Sequence, residues 1–165
     1  MAEEEFMRFV DRWTFECSRV FPHPLERVWR AITDPNEISV WFEENAKFDL
    51  RLGGAYSFGG EDSTMRGVIT ALDPPRFIRF SDPPSGADSY FQFTLEIVDG
   101  GTRVTFTHGG TPGFIEGWPP PGLFAGWHKA LNNLADLLEA IGRRLGPSEA
   151  ELTALYIVRF KEQAR

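Results

Sequence analysis

The 165-residue sequence predicts an α+β domain in which a curved antiparallel sheet wraps around a long C-terminal helix. Two glycine-rich hairpin signals, Gly53-Gly54 and Asp99-Gly100-Gly101, separate short runs of strand-forming residues. Residues 90–98 alternate between apolar and polar side chains, so one side of the sheet is apolar and needs a cover. The apolar stripe of residues 123–145 has helical spacing and is wide enough to provide that cover.

Composition limits the classes of function. The length suits a single domain with a core of its own. A net charge of -7 without a basic stripe argues against nucleic acid and against anionic membranes as partners. The single cysteine excludes an intrachain disulfide framework, and the acidic first residues do not resemble a signal peptide, so we expect a cytoplasmic protein. Aromatic residues make up 14% of the chain, which predicts a bulky core or the walls of an apolar cavity.

The first elements are a strand and two helices. Residues 13–21 alternate as in a half-buried strand, which ends at two nearby prolines. The side chains expected on its apolar side are Trp13, Phe15, Cys17 and Phe21. An amphipathic helix then begins near Leu25, and a second short helix is expected over 36–42. The apolar positions of the first helix are Leu25, Val28, Trp29 and Ile32.

Short strands separated by turn residues follow. We expect them at Lys47–Leu52, Ala55–Phe58, Met65–Leu72, Phe77–Phe80, Tyr90–Val98 and Arg103–His108. On the last two strands the alternation places one set of side chains on the covered side of the sheet. That set consists of Phe91, Phe93, Leu95, Ile97, Val104, Phe106 and His108.

The C-terminal third contains a loop and two helices. Glycine and proline dominate residues 109–122, which predicts a loop, and the long helix should run from about Leu123 to Leu145. Gly146-Pro147 ends it, and Ser148 with Glu151 forms the pattern of a capping box that begins a further helix. We therefore divide the chain into an extension (1–12), a main domain (13–146) and an extra helix (147–165).

Several segments together resemble a known superfamily. They are V-W-R-A-I-T-D-P from Val28, F-D-L-R-L-G-G-A-Y-S-F from Phe48, R-G-V-I-T-A-L-D-P-P-R-F-I-R-F from Arg66, G-G-T-R-V-T-F-T-H from Gly100 and G-W-H-K-A-L-N-N-L from Gly126. In this order they resemble the START-like (SRPBCC) superfamily, in the branch of the activator of heat-shock chaperone ATPase homologues. The resemblance covers residues 15–144.

The resemblance implies a helix-grip fold of the START or Bet v type, with a cavity between the long helix and the concave face of the sheet. It also implies two kinds of partner, an apolar ligand in that cavity or a chaperone. The second domain of the eukaryotic activator, on which chaperone docking also depends, has no counterpart in this sequence. Fold similarity alone does not transfer an activity.

His108 is the polar residue with the clearest possible role in binding or catalysis. It lies on the apolar side of its strand, beside the loop, where an imidazole could bind the polar end of a ligand or act as a general base. The alternative is a strand-end histidine bonded to backbone. His128 lies at the margin of the long helix's stripe and suits a partly buried structural role, whereas His23 lies between two prolines in a loop.

No metal site, cofactor or catalytic residue is predicted. The three histidines lack metal-ligand spacing, and Asp34, Glu43, Glu44 and Asp49 suit solvated positions at helix ends and turns. Cys17 should pack as a small apolar side chain. The sequence contains no nucleophile elbow and no P-loop.

The predicted ligand-binding residues are aromatic side chains and one histidine. They are Trp41, Phe42, Tyr56, Phe58, Phe91, Phe93, Phe106, His108, Phe114, Trp118 and Trp127. Three functions are compatible with them: a binding protein for an apolar or aromatic small molecule, a co-chaperone-like interaction protein in the stress response, and an enzyme of the cyclase, aromatase or hydrolase kind. The extra helix needs a surface for its apolar side, either the outer face of its own domain or the same helix of a second copy. Because the long helix already covers the sheet, we favour the second, a symmetric homodimer.

Overall fold

The computed structural model describes residues 5–11, 13–63, 65–110, 121–139 and 147–163. The described elements are eight strands and four α-helices. They are β1 (Arg8–Asp11), β2 (Thr14–Phe21), α1 (Leu25–Thr33), α2 (Pro35–Trp41), β3 (Lys47–Phe48), β4 (Ala55–Ser57), β5 (Arg66–Asp73), β6 (Phe77–Ser81), β7 (Tyr90–Val98), β8 (Gly101–Gly109), α3 (Pro121–Leu138) and α4 (Glu149–Gln163). This is the predicted α+β class.

The strands form one antiparallel sheet in the order β1-β2-β8-β7-β6-β5-β4-β3. The pairing of β2 with β8 brings the first and last strands of the main domain together, with Cys17 opposite Phe106. The second hairpin signal is confirmed, because Val98 pairs with Gly101 and Gly100 has a positive φ of 87°. The first hairpin signal lies between much shorter strands than predicted, since β3 contains two residues and Asp49–Leu52 forms a turn region.

The concave face of the sheet carries the predicted apolar side chains. Phe91, Phe93 and Leu95 of β7 are buried there, as are Val104 and Phe106 of β8. Two predictions of burial were wrong. Trp13 is 48% exposed because β2 begins one residue later, and Ile97 is 66% exposed at the far end of β7.

The long helix α3 covers this face. Phe124, Trp127, Leu131, Leu134 and Leu138 are buried, as the predicted stripe requires. The remaining stripe positions, Ile141 and Leu145, lie outside the described residues, as does the predicted loop segment 111–120.

Helices α1 and α2 join α3 to the sheet. Asp34 caps α2, since its Oδ1 accepts a hydrogen bond of 2.9 Å from the backbone N–H of Asn36. The indole of Trp41 donates to the carbonyl of Ala31 at 2.9 Å, and Asn133 of α3 donates to the carbonyl of Trp41 at 3.2 Å. These two bonds connect α1, α2 and α3.

The N-terminal segment and α4 pack onto the same domain. The edge strand β1, which sequence reasoning did not predict, pairs with β2. The capping box is confirmed: Glu151 accepts from the backbone N–H of Ser148 at 2.7 Å, and Ser148 Oγ accepts from the backbone N–H of Glu151 at 3.2 Å. Leu152 and Tyr156 of α4 are fully buried against α3, so this part of the apolar side of α4 is covered by its own chain. Ile157 and Val158 of the same helix remain exposed.

Within the described helices, no segment is both long and apolar enough to cross a membrane.

We expect Leu131→Ala to lower the free energy of unfolding by about 2–5 kcal/mol, because it removes buried atoms between α3 and the sheet. Leu131 is 2% exposed, whereas Leu52, the matched control, is 66% exposed. Leu52→Ala should change stability by less than about 0.5 kcal/mol. Urea denaturation of the two variants measures both values, and equal effects would mean that α3 does not pack as described.

Candidate functional site

An aromatic cluster fills the space between α3 and the concave face. The Trp127 ring lies 4.2 Å from the Phe106 ring centroid and 5.2 Å from that of Phe91, and it stacks on Phe42 at 4.7 Å. Phe80 stacks on Phe91 at 4.9 Å. The space that these rings leave between them is about 10 Å³, too small for an organic ligand. The described rings that were predicted to line a cavity therefore pack against one another here.

An open groove adjoins this cluster. Its volume is about 420 Å³, within the range of small-molecule sites. The residues lining it come from the segment after α2, the turn after β6, and α3, together with Met65 and Glu149. They are Phe42, Glu43, Met65, Asp82, Pro84, Ser85, Gly122, Leu123, Gly126, Trp127, Lys129, Ala130, Asn133 and Glu149. Trp127 and Phe42 border both the groove and the filled interior.

Asp82 gives the groove a buried carboxylate. It follows β6 and precedes a single 3₁₀ turn, Pro83–Ser85. Its Oδ2 lies 2.8 Å from His108 Nε2 and accepts a bond of 2.6 Å from Ser85 Oγ. Burial raises the pKa of Asp82, but the hydrogen bonds from His108 and Ser85 outweigh burial, and the pKa lies below its ordinary value. The side chain is therefore a carboxylate at neutral pH.

His108 is placed by β8 as the sequence predicted, on the covered side of the sheet. It is buried, and its ring stacks on Phe15 with 4.9 Å between centroids. The carboxylate partner that sequence reasoning did not find is Asp82, 26 residues earlier. The antiparallel order β6-β7-β8 brings the two together, whereas the sequence D-P-P-S-G from Asp82 has only the composition of a turn. His108 itself does not line the groove.

The remaining predicted site residues fall into three groups. Trp41, Tyr56, Phe58, Phe91, Phe93 and Phe106 belong to the filled aromatic cluster and are buried. Phe42 and Trp127 border the groove. Phe114 and Trp118 lie outside the described residues. Sequence reasoning missed Asp82, Lys129 and Asn133, which line the groove as polar side chains on β6's end and on the margin of α3.

A second buried polar cluster lies between β2, α3 and α4. His128 Nδ1 lies 2.9 Å from the hydroxyl of Tyr156, which also accepts the backbone N–H of Met7 at 2.9 Å. The sequence predicted a partly buried His128 at the margin of the stripe, but the side chain is fully buried. Burial, together with the nearby Arg19 charge, lowers the pKa of His128 to about 4.

Cys17 is a buried free thiol. Burial raises the pKa of the Cys17 thiol to about 12, so it is an unreactive thiol, in agreement with its predicted packing role. Among the residues that the structure describes, no three histidine, cysteine, aspartate or glutamate side chains are grouped so as to hold a metal ion.

The curved antiparallel sheet and the helix across it define a START-like helix-grip protein. The family described as activator of Hsp90 ATPase homolog 1-like protein matches residues 22–139, and the chain belongs to it. A comparison with curated proteins finds no match.

Solved structures show the same fold. CalU16 from Micromonospora echinospora is 23% identical, with a TM-score of 0.70 over 95% of this chain and 93% of its own. The solution structure of the Aha1 dimer from Colwellia psychrerythraea is 21% identical, with a TM-score of 0.68 over 79% of this chain and 98% of its own. Protein CV1439 from Chromobacterium violaceum is 30% identical, with a TM-score of 0.58 over 76% of this chain and 96% of its own.

The buried His128 should make stability depend on pH. Its pKa is about 4 when folded and about 6.5 when unfolded, so the unfolded chain binds more protons between these values. Stability should be complete above pH 6.5 and fall as the pH drops from 6.5 towards 4, by at most about 3 kcal/mol. We expect His128→Gln to lose this part of the pH dependence in urea denaturation.

His23→Gln provides the control, because it removes a different histidine outside this cluster. It should keep the slope of the parent protein. If His128→Gln keeps the slope as well, the neutral buried state of His128 is refuted.

Proposed function

We propose that the protein binds an apolar or aromatic small molecule, which it holds in the groove against Trp127 and Phe42. The observation that carries this proposal is that these two rings border both the open groove and the aromatic interior. A ligand in the groove would therefore extend the aromatic packing of the core. Burial of apolar area contributes about 25 cal/mol per Å², and rings add favourable stacking geometry.

The groove also supports a polar contact at one end. Asp82 is held as a carboxylate by His108 and Ser85, and Lys129 and Asn133 lie on the α3 side. A few placed polar groups in an apolar groove are typical of sites that orient a small ligand. We infer that the ligand has an aromatic or aliphatic body and a hydrogen-bonding group directed to Asp82.

The co-chaperone alternative has two observations in its favour. The chain belongs to a family named after a chaperone ATPase activator, and the interior between α3 and the sheet is filled rather than open. An ATPase assay of a chaperone of the Hsp90 class, with and without this protein, distinguishes that role from ligand binding.

The enzyme alternative has weaker support from the site. Asp82 is the carboxylate that would act as a base, yet its Oδ2 already accepts a bond from Ser85 and contacts His108. The lowered pKa of Asp82 makes it a weak base. Binding therefore explains the arrangement better than proton transfer does.

Gly126 allows a direct test of the groove. It lies on α3 and lines the groove, and a Cβ added there meets no atom within 4 Å. We expect Gly126→Leu to fill the groove and weaken binding of a neutral apolar dye, Nile red, at least tenfold. The variant should fold normally, because replacing a helical glycine favours the helix by up to about 1 kcal/mol.

Gly126→Ala is the matched control, because it gives the same gain in helix stability but adds only one methyl group to the groove. It should bind Nile red nearly as the parent does. Unchanged dye affinity in folded Gly126→Leu would refute the groove as the binding site. Native mass spectrometry of the purified parent, searching for a co-purifying small molecule that Gly126→Leu lacks, would identify the ligand.

A homodimer stays a prediction. One structural relative is described as a dimer, and in this chain Ile157 and Val158 remain exposed on α4. Equilibrium sedimentation of the full chain and of an Ile157→Glu, Val158→Glu variant tests whether this helix joins two copies. A parent that sediments as a monomer contradicts it.

A further inference from the structure

Arg19 is a buried arginine with an unused pair of donors. It projects from the concave face of β2, opposite Val104, and only 9% of it is exposed. Its Nη1 donates to Oδ1 of Asn132 on α3. Its Nε and Nη2 are buried and have no hydrogen-bond partner. These two N–H groups form one edge of the guanidinium, the edge that binds both oxygens of a carboxylate at once.

The surroundings of Arg19 do not neutralise its charge. Cys17 and Tyr156 are within electrostatic reach, but burial raises the pKa of each to about 12, so both are neutral at pH 7. Glu5 attracts the Arg19 charge, but among the described residues no carboxylate forms a direct ion pair with Arg19. A buried cation without a directly bonded acceptor for two of its nitrogens is unfavourable, which points to an acceptor that completes this cluster.

His128 adds a third donor. The Tyr156 hydroxyl accepts the backbone N–H of Met7, so its own proton is available for His128 Nδ1. With these two bonds, the Met7 N–H, the Tyr156 hydroxyl and His128 Nδ1 all have partners. The proton of the neutral imidazole therefore lies on Nε2. That Nε2–H is buried and has no partner. His128 and Asn132 are one turn apart on α3, so the imidazole and the guanidinium of Arg19 share one region of the interior.

We propose that Arg19 and His128 form a buried binding site for the carboxylate group of a small organic acid. The site presents three unpartnered N–H donors, two of them in the parallel geometry that matches a carboxylate. One guanidinium charge balances one carboxylate, whereas a phosphate dianion would leave a negative charge buried. Phe6 covers the cluster from outside, with its ring 5.5 Å from that of His128 and 4.2 Å from the Arg159 guanidinium carbon.

This site is separate from the proposed groove. None of Arg19, His128 and Asn132 lines the groove, which lies along other positions of α3. The proposal therefore does not depend on the proposed function. Gly126→Leu should leave carboxylate binding unchanged.

Acetate is the probe for this site. Thermal unfolding of the full chain is followed in bis-tris buffer at pH 6.5 while sodium acetate replaces sodium chloride at constant ionic strength. We expect the melting temperature to rise by about 3–6 °C at about ten times the dissociation constant and to continue rising with the logarithm of the acetate concentration. Arg19→Met, which has a similar length but no donors, should abolish the rise. Arg19→Lys should lose most of it, because the charge remains without the paired donors.

Arg51→Met is the matched control, since Arg51 is an exposed arginine whose Nε bonds to Asp49. It should keep the full acetate effect. A parent melting temperature that responds equally to acetate and chloride overturns the proposal, and this comparison needs no variant. A full acetate effect in folded Arg19→Met overturns it as well.

Discussion

The packing of Trp127 against the concave face is the contact on which the fold depends. Its ring meets Phe42, which follows α2, and side chains of β7 and β8, so one residue connects the long helix to the middle of the sheet. Helix α1 also contacts β7 and β8, but much of the apolar face would be solvated without α3. The same ring forms a wall of the groove. Stability and the proposed binding therefore share a single side chain.

The rings behind the groove are closely packed. Seven of the predicted site residues, Trp41, Tyr56, Phe58, Phe91, Phe93, Phe106 and Trp127, pack against one another or their neighbours at ordinary ring-contact distances. Rings in a close-packed interior leave little unfilled volume. Sequence alternation shows that a side chain faces inward, but the volume enclosed depends on how far the helix stands from the sheet. That distance follows from the packing of all the rings together.

Sequence patterns correctly predicted the elements that depend only on residues close together in the chain. The β7–β8 hairpin follows from Asp99-Gly100-Gly101, and the start of α4 follows from the reciprocal bonds of Ser148 and Glu151. The resemblance to the family supplied the topology. The pairing of Asp82 with His108 was not predictable, because it requires the register of three strands. The burial of Arg19 was also missed, since an arginine at an inward position looks like an interruption of the apolar pattern.

The bond between Met7 and Tyr156 has a consequence for the folding pathway. It joins residues 149 positions apart, and both lie outside the segment that matches the family. In the unfolded chain, closing a loop of this length would cost about 4 kcal/mol of chain entropy, and contacts so distant in sequence form slowly. The pairing of β2 with β8 and the contact of α3 with α4 shorten that loop, because they bring the two residues close together. The sheet and α3 would therefore assemble first, and the two outer segments would close over His128 as a late step.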